Sequence, residues 1–180
     1  PYWTSPRLTS AYLRYFLPWN LVRLTALLPG LPLTAPATRP SGAEENGTAT
    51  AGANDEFLIF DLGSGPCTFP LALWLARPDL RRLPVTVVAS DSAPHPLDLG
   101  RRIFDALRAE LDPASPWTLR TLRAPLHAAP RLLRGRPRLI TLGNVLNELE
   151  ERGRRGGSVR GRLAALLDET ALAYNTTEDN

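Results

Sequence analysis

Asp61-Leu62-Gly63-Ser64-Gly65-Pro66 is the segment whose residue types and spacing can hold a ligand. Glycines directly after a strand let the backbone turn tightly and let a ligand come close. A helix beginning just beyond offers free N–H groups and the positive end of its dipole. A P-loop of this kind needs a Lys, and the chain has none. A dinucleotide loop needs Gly at the position that Thr68 holds here. An acid just ahead of the loop suits S-adenosylmethionine, which carries a cationic amino group, a carboxylate and two ribose hydroxyls but no phosphate. Asp61 can serve the cationic end, directly or through water. Asp91, about thirty residues further on, can accept both ribose hydroxyls. The same residue type does so for NAD, so Asp91 alone does not separate the two ligands.

These residues need a scaffold. Phe57-Leu58-Ile59-Phe60 is a short, continuous apolar run, the pattern of a strand buried on both faces of a parallel sheet. Thr68 to Ala76 reads as the helix after the loop, with Pro70 tolerated in its first turn. Val85-Thr86-Val87-Val88-Ala89-Ser90 reads as a second strand ending at Asp91. Leu97 to Leu111 reads as an amphipathic helix with Leu99, Ile103, Leu107 and Leu111 on one side. Trp117 to Leu122 and Arg138 to Leu142 read as third and fourth strands. Asn144 opens a helix, and Arg162 to Tyr174 reads as another. The alternation predicts an α/β fold: a Rossmann-like, doubly wound parallel sheet in the order third, second, first, fourth. Ligands of such sheets bind beyond the carboxyl ends of the strands, where the strand order reverses. The glycine loop, Asp91 and Asn144 all lie just after strands.

Residues 1–27 read as an N-terminal helical segment. Within it, Thr9 to Leu17 is helix, and Pro18 ends or kinks it. Leu8, Tyr12, Tyr15, Phe16 and Trp19 make an apolar face, expected to pack onto the domain rather than to cover a substrate. Residues 28–54, rich in Pro, Gly, Thr and Ala with no apolar period, read as a flexible linker. Residues 55–180 form the ligand-binding domain. The chain opens on Pro1, holds no Met and leaves little sequence after the fourth strand, so the domain is expected to be incomplete.

The formal charge is +3, carried by Arg without Lys. Arg131, Arg134, Arg136 and Arg138 form one cluster; Arg152, Arg154, Arg155, Arg160 and Arg162 form another. Such clusters sit in solvent or track nucleic-acid phosphates, which leaves RNA open as a partner. The single cysteine, Cys67, excludes an intramolecular disulfide and a cysteine-rich metal site. It reads as a packing residue. His95 and His127 lie among prolines and read as plain loop residues; the other reading of His95, just past Asp91, is that it borders an adenosine. No apolar run reaches the ~20 residues of a membrane span. The opening stretch lacks the order of a secretory signal. A soluble, cytoplasmic protein with no membrane partner and no metal is expected.

The segment Phe57 to Glu148, about half the chain, resembles a class I S-adenosylmethionine-dependent methyltransferase. Asp61 to Pro66 resembles the family's first motif, and Val87-Val88-Ala89-Ser90-Asp91 its second. Ile140-Thr141-Leu142-Gly143-Asn144-Val145-Leu146-Asn147-Glu148-Leu149 resembles its fourth-strand motif. That string is also similar to the methyltransferase-like proteins of the mitochondrial small ribosomal subunit and their bacterial relatives. The resemblance implies an S-adenosylmethionine site with Gly63, Ser64, Gly65 and Pro66 beside the methionine part and Asp61 below it. It implies Asp91 and Ser92 at the ribose and Asn144 near the transferable methyl.

The chain departs from the family pattern in places. Cys67 stands where the family often has a third Gly, and Arg123-Ala124-Pro125-Leu126 replaces the stretch that often carries an adenine-reading acid. One cysteine implies no iron–sulfur cluster of the kind found in the ribosome-linked subgroup. Methyl transfer is an in-line displacement that needs alignment and often a base. Asn144, Asn147 and Glu148 are the nearby candidates, and Asn144 is equally suited to cap the helix it opens. The acceptor, RNA, protein or small molecule, is not legible. The alternative is a non-catalytic protein that keeps the cofactor fold and acts as an RNA-binding or ribosome-assembly factor.

Overall fold

The computed structural model describes residues 3, 5–33, 57–135, 137–143, 164, 165 and 168. Strand β1 (Phe57–Leu62) is buried along its whole length. It pairs in parallel with β2 (Val85–Asp91) on one side and with β4 (Leu139–Thr141) on the other. Strand β3 (Thr118–Arg123) pairs in parallel with β2, giving the order β3-β2-β1-β4. This is the Rossmann-like arrangement and strand order expected from the alternation. The chain leaves β1 in one direction for β2 and β3, then returns to β1's other edge as β4. The reversal lies between β1 and β4, with Asp61 opposite both Ala89 and Thr141.

Helices cover both faces. Alternate residues of β1 divide between two cores, as a period of two requires. Phe57 and Ile59 join Val85 and Val87 of β2. They pack under α2 (Leu17–Leu27), α3 (Thr68–Ala76) and α4 (Pro94–Leu111). Leu58, Phe60 and Leu62 face the other way, against Ala129 and Leu133 at the short helix α5 (Ala129–Leu132). The buried indoles are satisfied: Trp117 Nε1 donates to the Leu80 carbonyl at 2.8 Å, and Trp74 Nε1 to Ser115 Oγ at 3.4 Å.

The N-terminal segment differs from the expectation in two respects. Helix α1 (Pro6–Ala11) continues through a wide π turn, Tyr12–Phe16, straight into α2, so Pro18 lies inside the helical run. Proline removes one N–H and crowds the carbonyl four residues back. The π turn just ahead of it, where Leu17 N–H reaches back to the Tyr12 carbonyl, is the local widening that accommodates such disruptions.

The packing face also differs. Leu17 and Leu28 are buried, with Tyr12, Leu13, Leu21 and Leu24 against the same core. Leu8, Tyr15, Phe16 and Trp19 are exposed, Tyr15 by 73%. The run is apolar on both sides, so helical spacing alone does not choose the buried one.

The stretch read as a linker begins inside the packed structure. Leu28–Gly30 is a 3-10 turn with Leu28 buried. The Arg77 guanidinium donates to the Leu31 and Leu33 carbonyls. Residues 34–54 lie outside the described residues, as do Arg136, the whole second arginine cluster, the helix expected at Asn144 and, except for Ala164, Ala165 and Asp168, the helix expected over Arg162 to Tyr174. No helix among the described residues is long and apolar enough to cross a membrane.

Candidate functional site

The site is built on the turn that leaves β1. Gly63 and Gly65 have φ of 70° and 53°, and Cys67 has φ of 56°. The first two are positions where glycine is at ease and other residues are strained. Cys67 takes the same left-handed conformation without being glycine. It sits just before α3 as the helix begins. The turn therefore carries a strain of order 1–2 kcal/mol at this residue.

Tight packing behind the loop explains how it is held. A Cβ at Gly100, in the middle of α4, would stand 2.4 Å from the Pro66 carbonyl carbon and 2.7 Å from Cys67 Sγ. Helix α4 can back onto the loop only because that residue is glycine. On the other side of the loop, a Cβ built at Gly65 meets no atom of the described residues within 4 Å. Among the described residues the loop is thus pressed against protein behind and open in front.

Two carboxylates tie the loop down. Asp91, half-buried at the end of β2, accepts the Gly65 N–H and the Ala93 N–H, each at 2.9 Å and each on a different oxygen. Each oxygen retains further acceptor capacity. Ser64 N–H donates to the Ser90 carbonyl at 2.9 Å, extending the β1–β2 pairing into the turn.

Asp61 is 1% exposed. It accepts the Ser64 hydroxyl on one oxygen, and on the other the Thr141 hydroxyl at 2.7 Å. Asp61 forms no salt bridge among the described residues. Burial pushes its carboxyl up to about 6, against the pull of the Ser64 and Thr141 hydrogen bonds, and the Asp91 charge adds to the rise. Asp61 therefore braces the loop against β4 across the point where strand order reverses.

Of the residues proposed from sequence, Asp61, Gly63, Ser64, Gly65, Pro66, Asp91 and Ser92 come together at the carboxyl ends of β1 and β2. Their orientations divide them. Ser64 and Pro66 are buried, Ser64 toward Asp61 and Pro66 against α4. Ser92 is exposed. Asn144, Asn147 and Glu148 lie outside the described residues.

Thr141 and Gly100 are the contributors that sequence reasoning passed over. Gly100 carried a signal, since glycine inside an amphipathic helix costs about 1 kcal/mol relative to alanine. Thr141 carried none until the strand order put it beside Asp61.

Two further groups bear on the chemistry. Thr68 Oγ1, on the first residue of α3, is buried with no hydrogen-bond partner among the described residues. The first turn of a helix also leaves N–H groups without helical acceptors. Cys67 is buried, and burial, with the Asp61 charge next, pushes its thiol up to about 12, so the thiolate needed for nucleophilic chemistry is disfavoured. Among the described residues no group of three His, Cys, Asp or Glu side chains could hold a metal ion. No protein-family model matches the chain, and no curated protein or solved structure matches it either.

Proposed function

We propose that the chain binds S-adenosylmethionine at the carboxyl ends of β1 and β2 and serves methyl transfer. The observation that carries this reading is the loop at Gly65: held from behind by Gly100, fixed by the Asp91 carboxylate and open in front. The donor set suits the ligand. Asp91 keeps acceptor capacity for ribose hydroxyls. The orphaned Thr68 hydroxyl and the free N–H groups of α3 offer donors suited to a carboxylate. Bound there, the cofactor supplies an electrophilic methyl group on a sulfonium.

This chain's own residues bind and orient. Asp61 is closed in by Ser64 and Thr141, so it is a brace rather than a general base. Calorimetry with S-adenosylmethionine and S-adenosylhomocysteine on the folded protein tests the reading. Submillimolar binding of either compound is expected, and Gly65→Val should weaken it sharply, because the new side chain enters the open space. A folded protein that binds neither at millimolar concentration ends the proposal.

The second reading, a cofactor-fold protein without turnover, shares the binding site. The enclosure of Asp61 by Ser64 and Thr141 favours it, because that carboxylate is not free to act as a base. Binding of the cofactor without methyl transfer to RNA, protein or small-molecule pools would select it.

A further inference from the structure

We propose that the cleft between α1 and the start of α4 is a binding site for a planar aromatic ring carrying an anionic group. The cleft has a volume of about 650 Å³, within the range of small-molecule sites. Trp3 and His95 line it from two different parts of the chain. The Trp3 ring lies 4.8 Å from that of Tyr12, which holds it in place as a wall. Leu13 adds an apolar surface, and Ser10 adds an exposed hydroxyl. These features suit a flat ring with polar substituents.

Arg14 is the strong cation of the cleft. It is exposed and forms no salt bridge among the described residues. Residues 1–33 contain three Arg and no Asp or Glu, so the helix that forms this wall carries no compensating charge of its own. Asp98, one turn beyond His95 on α4, stands 3.8 Å from Arg101 and is paired there. A carboxylate or phosphate on the ligand completes the pairing, and guanidinium suits either.

The position links the cleft to the loop. His95 is the second residue of α4, and the Ala93 N–H just ahead of that helix is held by Asp91, which also holds Gly65. The cleft thus lies toward the end of the loop held by Asp91, and its preference for a ring and an anion does not depend on the preceding proposal.

The test uses three probes with one ring: 2-naphthoate, 2-naphthyl phosphate and neutral 2-naphthamide, titrated calorimetrically into the full chain. At least one anion should bind about tenfold or more tighter than the amide, the loss expected for a charge-assisted hydrogen bond. The comparison of carboxylate with phosphate tells which anion the cleft prefers. Arg14→Gln should abolish the preference for the anions. Trp19→Ala, on the exposed face of α2, should leave it unchanged.

Equal binding of all three probes, or a preference that survives in Arg14→Gln, overturns the proposal. So does loss of binding in Trp19→Ala, which would place the ring on the exposed helix face instead. S-adenosylhomocysteine is titrated in parallel. Ring binding with the anion preference but no S-adenosylhomocysteine binding leaves the cleft standing and removes the methyltransferase reading.

Discussion

Asp91 accepts the backbone N–H of Gly65 at 2.9 Å, and this contact joins the end of β2 to the turn after β1. The carboxylate therefore has two tasks on the proposed reading: it shapes the loop, and it presents acceptors to a ribose. Asp91→Ala removes both. Cofactor affinity should fall about tenfold or more, since a hydrogen bond to a charged group is worth roughly 1.5–3 kcal/mol. Asp91→Asn keeps one carbonyl acceptor, so it can satisfy Gly65 or Ala93 but not both, and the loss should be smaller. Calorimetry with S-adenosylhomocysteine checks the order. Equal affinity in wild type and Asp91→Ala would remove the ribose role.

Gly100→Ala tests the loop from behind. The added methyl would start 2.4 Å from the Pro66 carbonyl carbon, so loop or helix must shift. Overpacking of this kind costs typically 1–3 kcal/mol. In an ordinary helix interior the same change would stabilise by about 1 kcal/mol. A lower urea midpoint in Gly100→Ala is the expected sign, and cofactor affinity should fall with it. A raised midpoint would show that the loop does not press on α4.

Much of this arrangement was legible because local and global signals agree. Phe57-Leu58-Ile59-Phe60 is apolar at every position because both faces of β1 are covered, and that continuity marks a parallel sheet. Gly63 and Gly65 stand where the backbone needs positive φ, so their type reports their conformation.

What was not legible depends on neighbours distant in sequence. Thr141 matters because β4 lies beside β1, a relation no local pattern carries. Of the face formed by Leu8, Tyr12, Tyr15, Phe16 and Trp19, only Tyr12 packs on the core, and Leu17, Leu21, Leu24 and Leu28 supply the rest. Both sides of that helix satisfy the same periodicity, and only the site of contact with α3 decides between them. The rule that proline ends or kinks a helix assumes regular α geometry, which the π turn ahead of Pro18 relaxes.

Cys67 should be silent in the folded protein. It is buried and its thiol is pushed up to about 12, so both access and ionisation oppose reaction. A disulfide reagent at pH 8 should label it only as fast as the domain opens. Denaturant should bring the rate to that of a free thiol. Rapid labelling without denaturant would show that the loop leaves α4 readily.

Asp61 supplies a pH dependence whose sign can be worked out. Its carboxyl rises from 3.8 to about 6 on folding, chiefly through burial. The folded state therefore binds this proton more tightly than the unfolded state does. Stability from this group is fully present below the unfolded value and is lost as pH rises through about 6. The gap corresponds to about 3 kcal/mol at most. Asp61→Asn cannot ionise and lacks this loss, although its amide nitrogen cannot accept the hydroxyl that a carboxylate oxygen would. Its stability relative to wild type should therefore be more favourable at pH 8 than at pH 5. Paired urea titrations of the two proteins across that range isolate the term, because the other carboxylates cancel in the difference. A stability difference that stays flat from pH 5 to pH 8 would mean that Asp61 is not raised, and that the Ser64 and Thr141 hydroxyls suffice to hold the buried anion.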